Sequence, residues 1–267
     1  MPLSPLLSGY DHVLLDLDGC VWVGEQTTHR APEAVAQLRS AQKQIAFITN
    51  DAQRSGEEYV RKLWSLGVRA SLAEVVTVGG AIQHVLADRR PRGGTAYVIG
   101  SEAVFRHVAD AGMRVVNETD LAAEADVVVV AGHQDLHFRD LRDAVQAVLA
   151  GAELIGAGRD RTFPMPDGPW PGTGAIIAAV EYATSRTADI VGKPDPQIYF
   201  TALDRLGPGR ALAVGDRLDA DLAGAAAAGL DAAIVLTGVT SRAEAEAAHE
   251  PAPVAIAEDL ATLVLAG

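Results

Sequence analysis

The stretch "VLLDLDGCVW", residues 13–22, decides how this chain is interpreted. An apolar run leads into Asp16 and Asp18, two acids separated by a single leucine. On an extended backbone, residues two apart face the same side, so two like charges meet at the end of a strand that is otherwise suited to a protein core. Aspartate and glycine are also ordinary turn formers, and the stretch alone is compatible with a simple turn. The rest of the chain decides between these interpretations.

The composition is typical of a globular protein. The 267 residues are 49% hydrophobic and 21% charged, which suits one large domain or two modest ones. The formal net charge of −13 argues against a nucleic-acid or anionic-membrane surface, so an anionic substrate would need local cations or a metal. The single cysteine, Cys20, excludes an intrachain disulfide and a cysteine-rich zinc site. We expect a cytoplasmic location, because we find neither a signal-peptide pattern nor an apolar run near the roughly 18 residues of a membrane span.

Short runs rich in valine and isoleucine alternate with segments of helical period along the chain. This alternation predicts a parallel sheet with helices on its faces, an α/β architecture. The pattern breaks at "RRPRGG" and then restarts with a second series of strand–helix units. We predict a discontinuous Rossmann-like (flavodoxin-like) core over 1–78 and 188–267, with an inserted α/β cap over 79–187. The longest irregular stretch is predicted at 156–174.

Polar side chains stand at the carboxyl ends of four predicted core strands. In order along the chain they are Asp16 with Asp18, Thr49 with Asn50, Lys193, and Asp216 with Asp219 and Asp221. Each has an ordinary explanation when taken alone: a turn, a surface lysine or a helix N-cap. Ligands of open parallel sheets bind beyond the carboxyl ends of the strands. If the four strands are neighbours, these side chains converge on one pocket.

The residue types in this pocket favour phosphoryl chemistry. Several carboxylates on one rim repel each other unless a cation lies among them, and oxygen ligands without nearby histidine or cysteine select Mg²⁺. A metal, a lysine and a hydroxyl–amide pair together suit a phosphoryl group, whose transfer needs positioning and charge neutralisation. An aspartate can itself attack phosphorus and form an aspartyl-phosphate.

The motifs "DLDG", "ITN", "GKPDP" and "GDRLDAD", in this order, resemble the four motifs of the haloacid dehalogenase-like phosphatases. The insert after the second motif resembles the C2-type cap of the NagD-like subfamily of sugar, glycerol and p-nitrophenyl phosphatases. The resemblance covers nearly the whole chain. It implies a Mg²⁺-dependent hydrolase of a small phosphorylated metabolite, such as glycerol phosphate or a sugar phosphate, with an aspartyl-phosphate intermediate.

The resemblance also implies a role for each acid of the first motif. Asp16 would be the nucleophile and a Mg²⁺ ligand. Asp18 would protonate the leaving group and then activate the water that opens the aspartyl-phosphate, while its backbone carbonyl contacts the metal. A group that acts first as acid and then as base works best with a pKa near the operating pH.

The remaining motifs are expected to bind phosphate and metal. By the resemblance, Thr49 and Asn50 hold the phosphoryl oxygens, and Lys193 neutralises the phosphate and the nucleophile. Asp216 completes the metal site, and Asp221 supports it directly or through water. We assign Asp219, which lies between them, to the helix N-terminus or to a position behind the metal ligands.

Two residues depart from the family pattern. Cys20 stands where the first motif usually has threonine, and we expect a packed small residue because no cation lies beside it in sequence to activate a thiol. Asp51 stands where the second motif more often has asparagine. A carboxylate there would repel the substrate unless it points away or pairs, for example with Arg54.

The irregular stretch at 156–174 resembles the cap segment that faces the core active site in this subfamily. It provides candidates for contact with the leaving group: Arg159, Asp160, Arg161 and Gly172–Thr173–Gly174. A proline-stiffened connection that packs cap on core explains the same residues equally well. We interpret His133 and His137 as ordinary polar loop residues.

Two other classes of protein remain as alternatives. A signalling receiver also uses paired acids, Mg²⁺ and a phospho-accepting aspartate, but it needs neither a leaving-group acid nor a cap. A catalytically impaired relative that only binds its ligand is disfavoured by the full set of chemical residues, although Asp51 keeps it open. A homodimer also stays open as the oligomeric state.

Overall fold

A computed structural model describes residues 2–132, 135–165 and 168–266, which divide into two compact units. The first unit comprises Met1–Thr49, Gly56–Val76 and Lys193–Gly267, and the second comprises Asn50–Ser55 and Thr77–Gly192. The second unit is therefore inserted into the first, and the chain returns to the first unit at Lys193.

The strands and helices alternate along the chain. The strands are β1 (His12–Asp16), β2 (Trp22–Val23), β3 (Gln26–Thr27), β4 (Gln44–Thr49), β5 (Val75–Thr77), β6 (Gly94–Ile99), β7 (Met113–Val115), β8 (Val127–Val130), β9 (Glu153–Gly156), β10 (Thr162–Met165), β11 (Gly168–Pro171), β12 (Asp189–Ile190), β13 (Ala211–Gly215), β14 (Asp231–Val235) and β15 (Ala255–Ala257). The α-helices are α1 (Ala31–Ser40), α2 (Gly56–Ser65), α3 (Val78–Arg89), α4 (Glu102–Asp110), α5 (Phe138–Ala150), α6 (Thr173–Thr184), α7 (Gln197–Leu206), α8 (Ala223–Ala227), α9 (Arg242–Ala247) and α10 (Leu260–Val264). Short 3₁₀ turns cover Pro5–Gly9, Leu72–Glu74 and Ala122–Glu124, and a π-helical turn over Leu218–Leu222 leads into α8.

The first unit is built on a six-stranded sheet in the order β15–β14–β13–β1–β4–β5. The strand β1 lies inside this sheet and pairs in parallel with both β13 and β4. All five of its residues are buried, as expected for a parallel strand covered on both faces. This is the α/β parallel-sheet core that the alternation of strands and helices predicts.

The second unit has its own five-stranded sheet in the order β12–β9–β8–β6–β7. Its pairings are parallel, and its central strand β8 consists of four fully buried valines. The strand β12 pairs with β9 and thus belongs to this sheet, whereas the sequence pattern assigns the segment from 188 onward to the core. The five residues before Lys193 therefore complete the inserted unit.

The prediction that residues 156–174 are irregular is wrong in one respect, because this stretch contains the antiparallel strand pair β10–β11. Pro164 lies opposite Pro169 in this pair. The pair forms a separate two-stranded sheet, and proline is tolerated in such a strand because its missing N–H can face away from the partner. Within the described ranges, no helix is long and apolar enough to cross a membrane.

Candidate active site

The first acid of the opening stretch stands at the carboxyl end of a central strand. Asp16 is the last residue of β1, and its Cα pairs with that of Ile48, one residue before Thr49. On the other side, β13 ends one residue before Asp216. Because β4, β1 and β13 are adjacent and parallel, their carboxyl ends meet at one edge of the sheet. This adjacency brings together three of the four sequence motifs.

The remaining motif, the third along the chain, reaches the same place through a loop. Lys193 precedes α7 and does not follow a strand of this sheet, yet its side chain is almost fully buried between two acids. Its Nζ donates a short hydrogen bond to Asp16 Oδ1 and a second one, of 2.7 Å, to Asp221 Oδ1. Side-chain oxygens of Asp16, Asp216 and Asp221 all lie within 4.8 Å of one another. The structure thus forms one buried cluster, here called the acid cluster, from Asp16, Asp216, Asp221 and Lys193.

The electrostatics of the acid cluster follow from its burial. Burial raises the pKa of Asp16 to about 8, the charges of Asp221 and Asp216 act in the same direction, and Lys193 opposes them. Burial likewise raises the pKa of Asp216. Burial alone would lower the pKa of Lys193, but the two carboxylates that it contacts carry that pKa well above its ordinary value. When all three acids are ionised, their charge exceeds that of the single lysine, and a cation would offset the excess.

Backbone groups that the sequence analysis missed fix the carboxylate of Asp216. The Val239 N–H donates to Asp216 Oδ2 at 2.6 Å. A Cβ at Gly238 would lie 1.9 Å from the same oxygen, and a Cβ at Gly19 would lie 2.5 Å from Asp216 Cγ. The loop after β14 and the turn after β1 therefore approach this carboxylate so closely that only glycine fits. The only sequence signal was the "TG" pair after the strand "AAIVL".

Asp221 and Asp219 have different surroundings. Asp221 is 3% exposed, and its Oδ2 accepts hydrogen bonds from the backbone N–H groups of Asp216 (3.2 Å) and Arg217 (3.1 Å). Asp219 is exposed and forms a two-pronged ion pair with Arg217, at 3.0 and 2.9 Å. Asp221 therefore holds Lys193 and the turn after β13 in place, whereas Asp219 lies outside the acid cluster.

Asp18 lies in a different environment from Asp16. The strand ends at Asp16, and the chain then turns, with the N–H groups of Val21 and Trp22 both directed at the Leu17 carbonyl. Asp16 is 9% exposed, whereas the Asp18 side chain is exposed and accepts a hydrogen bond from Trp22 Nε1 at 2.7 Å. One acid is thus buried with the lysine, and the other faces outward on a fixed turn.

The second motif spans the end of one unit and the start of the other. Thr49 ends β4 and is 4% exposed, and Asn50 is the first residue of the second unit. Within that unit the Asn50 side chain packs against the backbone of Gly192, where a Cβ would lie 2.8 Å from its Oδ1. Asp51 Oδ1 accepts the Gln53 N–H at 2.8 Å, so this carboxylate closes its own turn. The Cys20 side chain is fully buried and burial raises its thiol pKa well above the ordinary value, which confirms the prediction of a packed residue.

The candidate substrate-contact residues of the second unit differ in their exposure and in their contacts with neighbouring side chains. Arg159 forms a two-pronged ion pair with Glu181, at 3.0 and 2.9 Å, which ties the loop to α6. The side chains of Asp160 and Arg161 are exposed, and Thr173 is half-buried. Neither Gly172 nor Gly174 has space for a side chain, because a Cβ would lie 2.4 Å from the Asp160 carbonyl oxygen or 2.6 Å from the Arg159 carbonyl.

Two histidines of the second unit, His133 and His137, are predicted to be ordinary polar loop residues. His137 is exposed and precedes α5, and its backbone N–H donates to the Asp140 carboxylate at 2.8 Å. His133 lies outside the described residues.

The residues of the acid cluster fit a divalent, oxygen-preferring metal ion. Among the described residues, the ligand atoms that lie within reach of one another are carboxylate oxygens of three aspartates, and this group contains no histidine nitrogen or cysteine sulfur. Oxygen-only donors of this kind suit Mg²⁺, which is usually bound by one or two carboxylates, waters and substrate phosphate. Asp16 and Asp216 are best placed to hold it, since both oxygens of Asp221 already accept hydrogen bonds from Lys193 and the backbone.

Comparison with known proteins supports one family. The model of the haloacid dehalogenase-like hydrolases matches residues 13–114, and a second model, described as HAD-hydrolase-like, matches residues 190–263. D-glycerol 3-phosphate phosphatase of Mycobacterium tuberculosis is 38% identical over 263 residues, covering 98% of this chain and 73% of that protein.

Solved structures agree with the sequence match. The crystal structure of a glycerol phosphate phosphatase from Mycobacterium tuberculosis in complex with magnesium has a TM-score of 0.89 and 37% identity, covering 98% of this chain and 78% of that one. The p-nitrophenyl phosphatase from Archaeoglobus fulgidus has a TM-score of 0.87 and 30% identity, covering 95% of this chain and 98% of that one. With the motifs in order and the acid cluster formed, the chain belongs to the haloacid dehalogenase-like hydrolases.

Proposed function

We propose that this protein is a Mg²⁺-dependent phosphoric monoester hydrolase that acts on a small phosphorylated metabolite, with glycerol phosphate or a sugar phosphate as the favoured class. The observation that carries the proposal is the acid cluster, in which a buried lysine contacts a strand-end aspartate at the centre of a parallel sheet. The similarity to a glycerol phosphate phosphatase over 98% of the chain supports the substrate class.

In this mechanism Asp16 is the nucleophile. One of its oxygens is held by Lys193, which leaves the other to attack phosphorus and form the aspartyl-phosphate. Lys193 also neutralises charge that builds up on the phosphoryl oxygens, and the Thr49 hydroxyl at the adjacent strand end is proposed to bind one of them. Asn50 is proposed to bind a second phosphoryl oxygen.

Asp18 acts as the acid and then as the base. It is proposed to lie on the leaving-group side of the nucleophile, and its exposed position on the turn supports this role. It donates a proton to the departing alcohol oxygen, and it then takes a proton from the water that opens the aspartyl-phosphate.

Asp16, Asp216 and the backbone carbonyl of Asp18 would hold Mg²⁺, with Asp221 supporting the site through Lys193 and the backbone. When bound, Mg²⁺ supplies neutralisation of the nucleophile and of the phosphoryl oxygens. We further propose that the inserted unit restricts access to small esters through Asp160, Arg161 and Thr173, with Arg159 bracing the loop. A cytoplasmic location and membership of the NagD-like subfamily with its C2-type cap belong to the same proposal.

Hydrolysis of p-nitrophenyl phosphate tests the proposal. Phosphate release should require Mg²⁺, stop in EDTA and vanish in Asp16→Asn. Turnover that resists EDTA, or an active Asp16→Asn variant, would refute the mechanism. Stoichiometric phosphorylation without release would indicate a receiver instead. A panel of glycerol phosphates and sugar phosphates, compared by kcat/KM, then identifies the preferred class.

A further inference from the structure

A buried tryptophan contacts the proposed acid–base residue. Trp22 is fully buried, and its indole Nε1–H donates to Asp18 Oδ1 at 2.7 Å. Asp18 is otherwise an exposed side chain at a turn. A hydrogen bond to an ionised acceptor is among the stronger kinds, so this contact selects one orientation of the carboxylate.

The indole is itself held rigidly. Its ring stacks on Tyr59 of α2, with the ring centroids 6.1 Å apart and an interplanar angle of 9°. The Lys62 ammonium lies 4.6 Å from the indole centroid, a cation–π contact, and donates to the Gly24 carbonyl at 3.0 Å. Helix α2 therefore fixes the hairpin β2–β3, and the hairpin fixes the indole N–H in direction.

We propose that Trp22 is a positioning residue that aims the Asp18 carboxyl at the leaving-group oxygen. This inference rests on the proposed function, in which Asp18 protonates that oxygen. Asp18 Oδ1 is occupied by the indole N–H, so Oδ2 is the oxygen that carries the transferred proton. General acids act only when the proton lies within hydrogen-bond reach of the departing atom, so a freely rotating carboxyl would lose part of its effect.

The dependence of rate on the leaving group separates positioning from a structural role. Good leaving groups depart without a proton, whereas poor ones need the acid. We therefore choose substituted phenyl phosphates, from p-nitrophenyl to p-methoxyphenyl phosphate, which are similar in size and differ in leaving-group basicity. The measured quantity is kcat/KM, which reports on the steps up to departure of the phenol.

Trp22→Phe keeps an aromatic ring against Tyr59 and removes the N–H donor together with part of the buried indole volume. We expect kcat/KM to fall about tenfold for p-methoxyphenyl phosphate and less than about twofold for p-nitrophenyl phosphate, a fraction of the 100-fold or more that a general acid contributes. The control for loss of an indole donor is Trp64→Phe, which removes a hydrogen bond of the same 2.7 Å length to the Ala70 carbonyl from a largely exposed side chain. That variant should follow the wild-type leaving-group dependence.

The outcomes separate the inference from the proposed function. An equal loss for every ester in Trp22→Phe, or the same steepened dependence in Trp64→Phe, would overturn the inference alone. A wild-type protein that releases no phosphate from any ester would overturn the proposed function, and the inference with it.

A second measurement leaves Trp22 in place, in case Trp22→Phe fails to fold. The chain has three tryptophans, so three indole N–H resonances are expected in a ¹⁵N-labelled protein. Asp18→Asn should shift the Trp22 indole resonance and leave that of Trp64 unchanged. An unmoved Trp22 resonance would overturn the inference.

Discussion

Gly238→Ala tests the close approach of the Gly238 backbone to the Asp216 carboxylate. The new Cβ would lie 1.9 Å from Asp216 Oδ2, so the carboxylate must move by about 1.5 Å to regain an ordinary contact of 3.4 Å. That movement breaks the 2.6 Å hydrogen bond from Val239 N–H. Metal ligands tolerate errors of only about 0.2 Å, so Asp216 would no longer be a competent ligand.

Loss of groups that orient a metal ligand typically lowers metal affinity or activity about 10- to 100-fold. We therefore expect the Mg²⁺ concentration for half-maximal hydrolysis of p-nitrophenyl phosphate to rise by about that factor. Calorimetric titration with Mg²⁺ alone should show the same weakening without any turnover.

Gly9→Ala is the matched control for this prediction. Both glycines are exposed, and neither has a positive φ, but a Cβ at Gly9 would meet only Arg210 Nη1 at 3.6 Å, an ordinary contact. Gly9→Ala should keep the wild-type Mg²⁺ requirement. If Gly238→Ala also kept the wild-type Mg²⁺ affinity, the reasoning from this close approach would be refuted.

Three further changes test other contacts of the structure. Lys193→Met leaves two buried carboxylates without their cation. The free energy of unfolding, measured by thermal unfolding in EDTA, should therefore fall by about 3–5 kcal/mol, and Mg²⁺ should restore part of it. An unchanged unfolding midpoint would contradict this. Asp51→Asn keeps the turn acceptor for Gln53 and removes one charge, so KM for phosphate esters should fall by up to about fivefold, and an unchanged KM removes the idea of repulsion. Hydrogen bonds from Arg159 lower the pKa of Glu181, so their stabilisation is present above the unfolded-state pKa and lost as pH falls through the lowered one. Glu181→Gln should therefore lower the free energy of unfolding by about 1 kcal/mol or less at pH 7. The difference from wild type in thermal unfolding should disappear in acid, and a difference that persists there would contradict the prediction.

The parallel core was predictable because its signal is local. Buried parallel strands are apolar along their whole length, and "VLLD" and "ALAVGD" show this directly. The segment 188–192, which contains β12, carries the same local signal, but its partner β9 lies more than 30 residues away, and no local pattern states which sheet a strand joins. The pair β10–β11 was missed for a related reason, since its prolines indicate a loop by composition and only the pairing makes them strand residues.

The sequence by itself determined the residue types of the candidate site, because the proposed nucleophile, the lysine and the proposed metal-binding acids stand in a fixed order along the chain. Only the tertiary structure decided how these groups are held. The Val239 N–H that fixes Asp216, the Lys193 contact with Asp221, and the helix α2 that supports Trp22 join positions from different strands and loops. It also decided that Asp16 is buried with a lysine while Asp18 faces outward. Contacts of this kind depend on which strands become neighbours, and that follows from packing of the whole core.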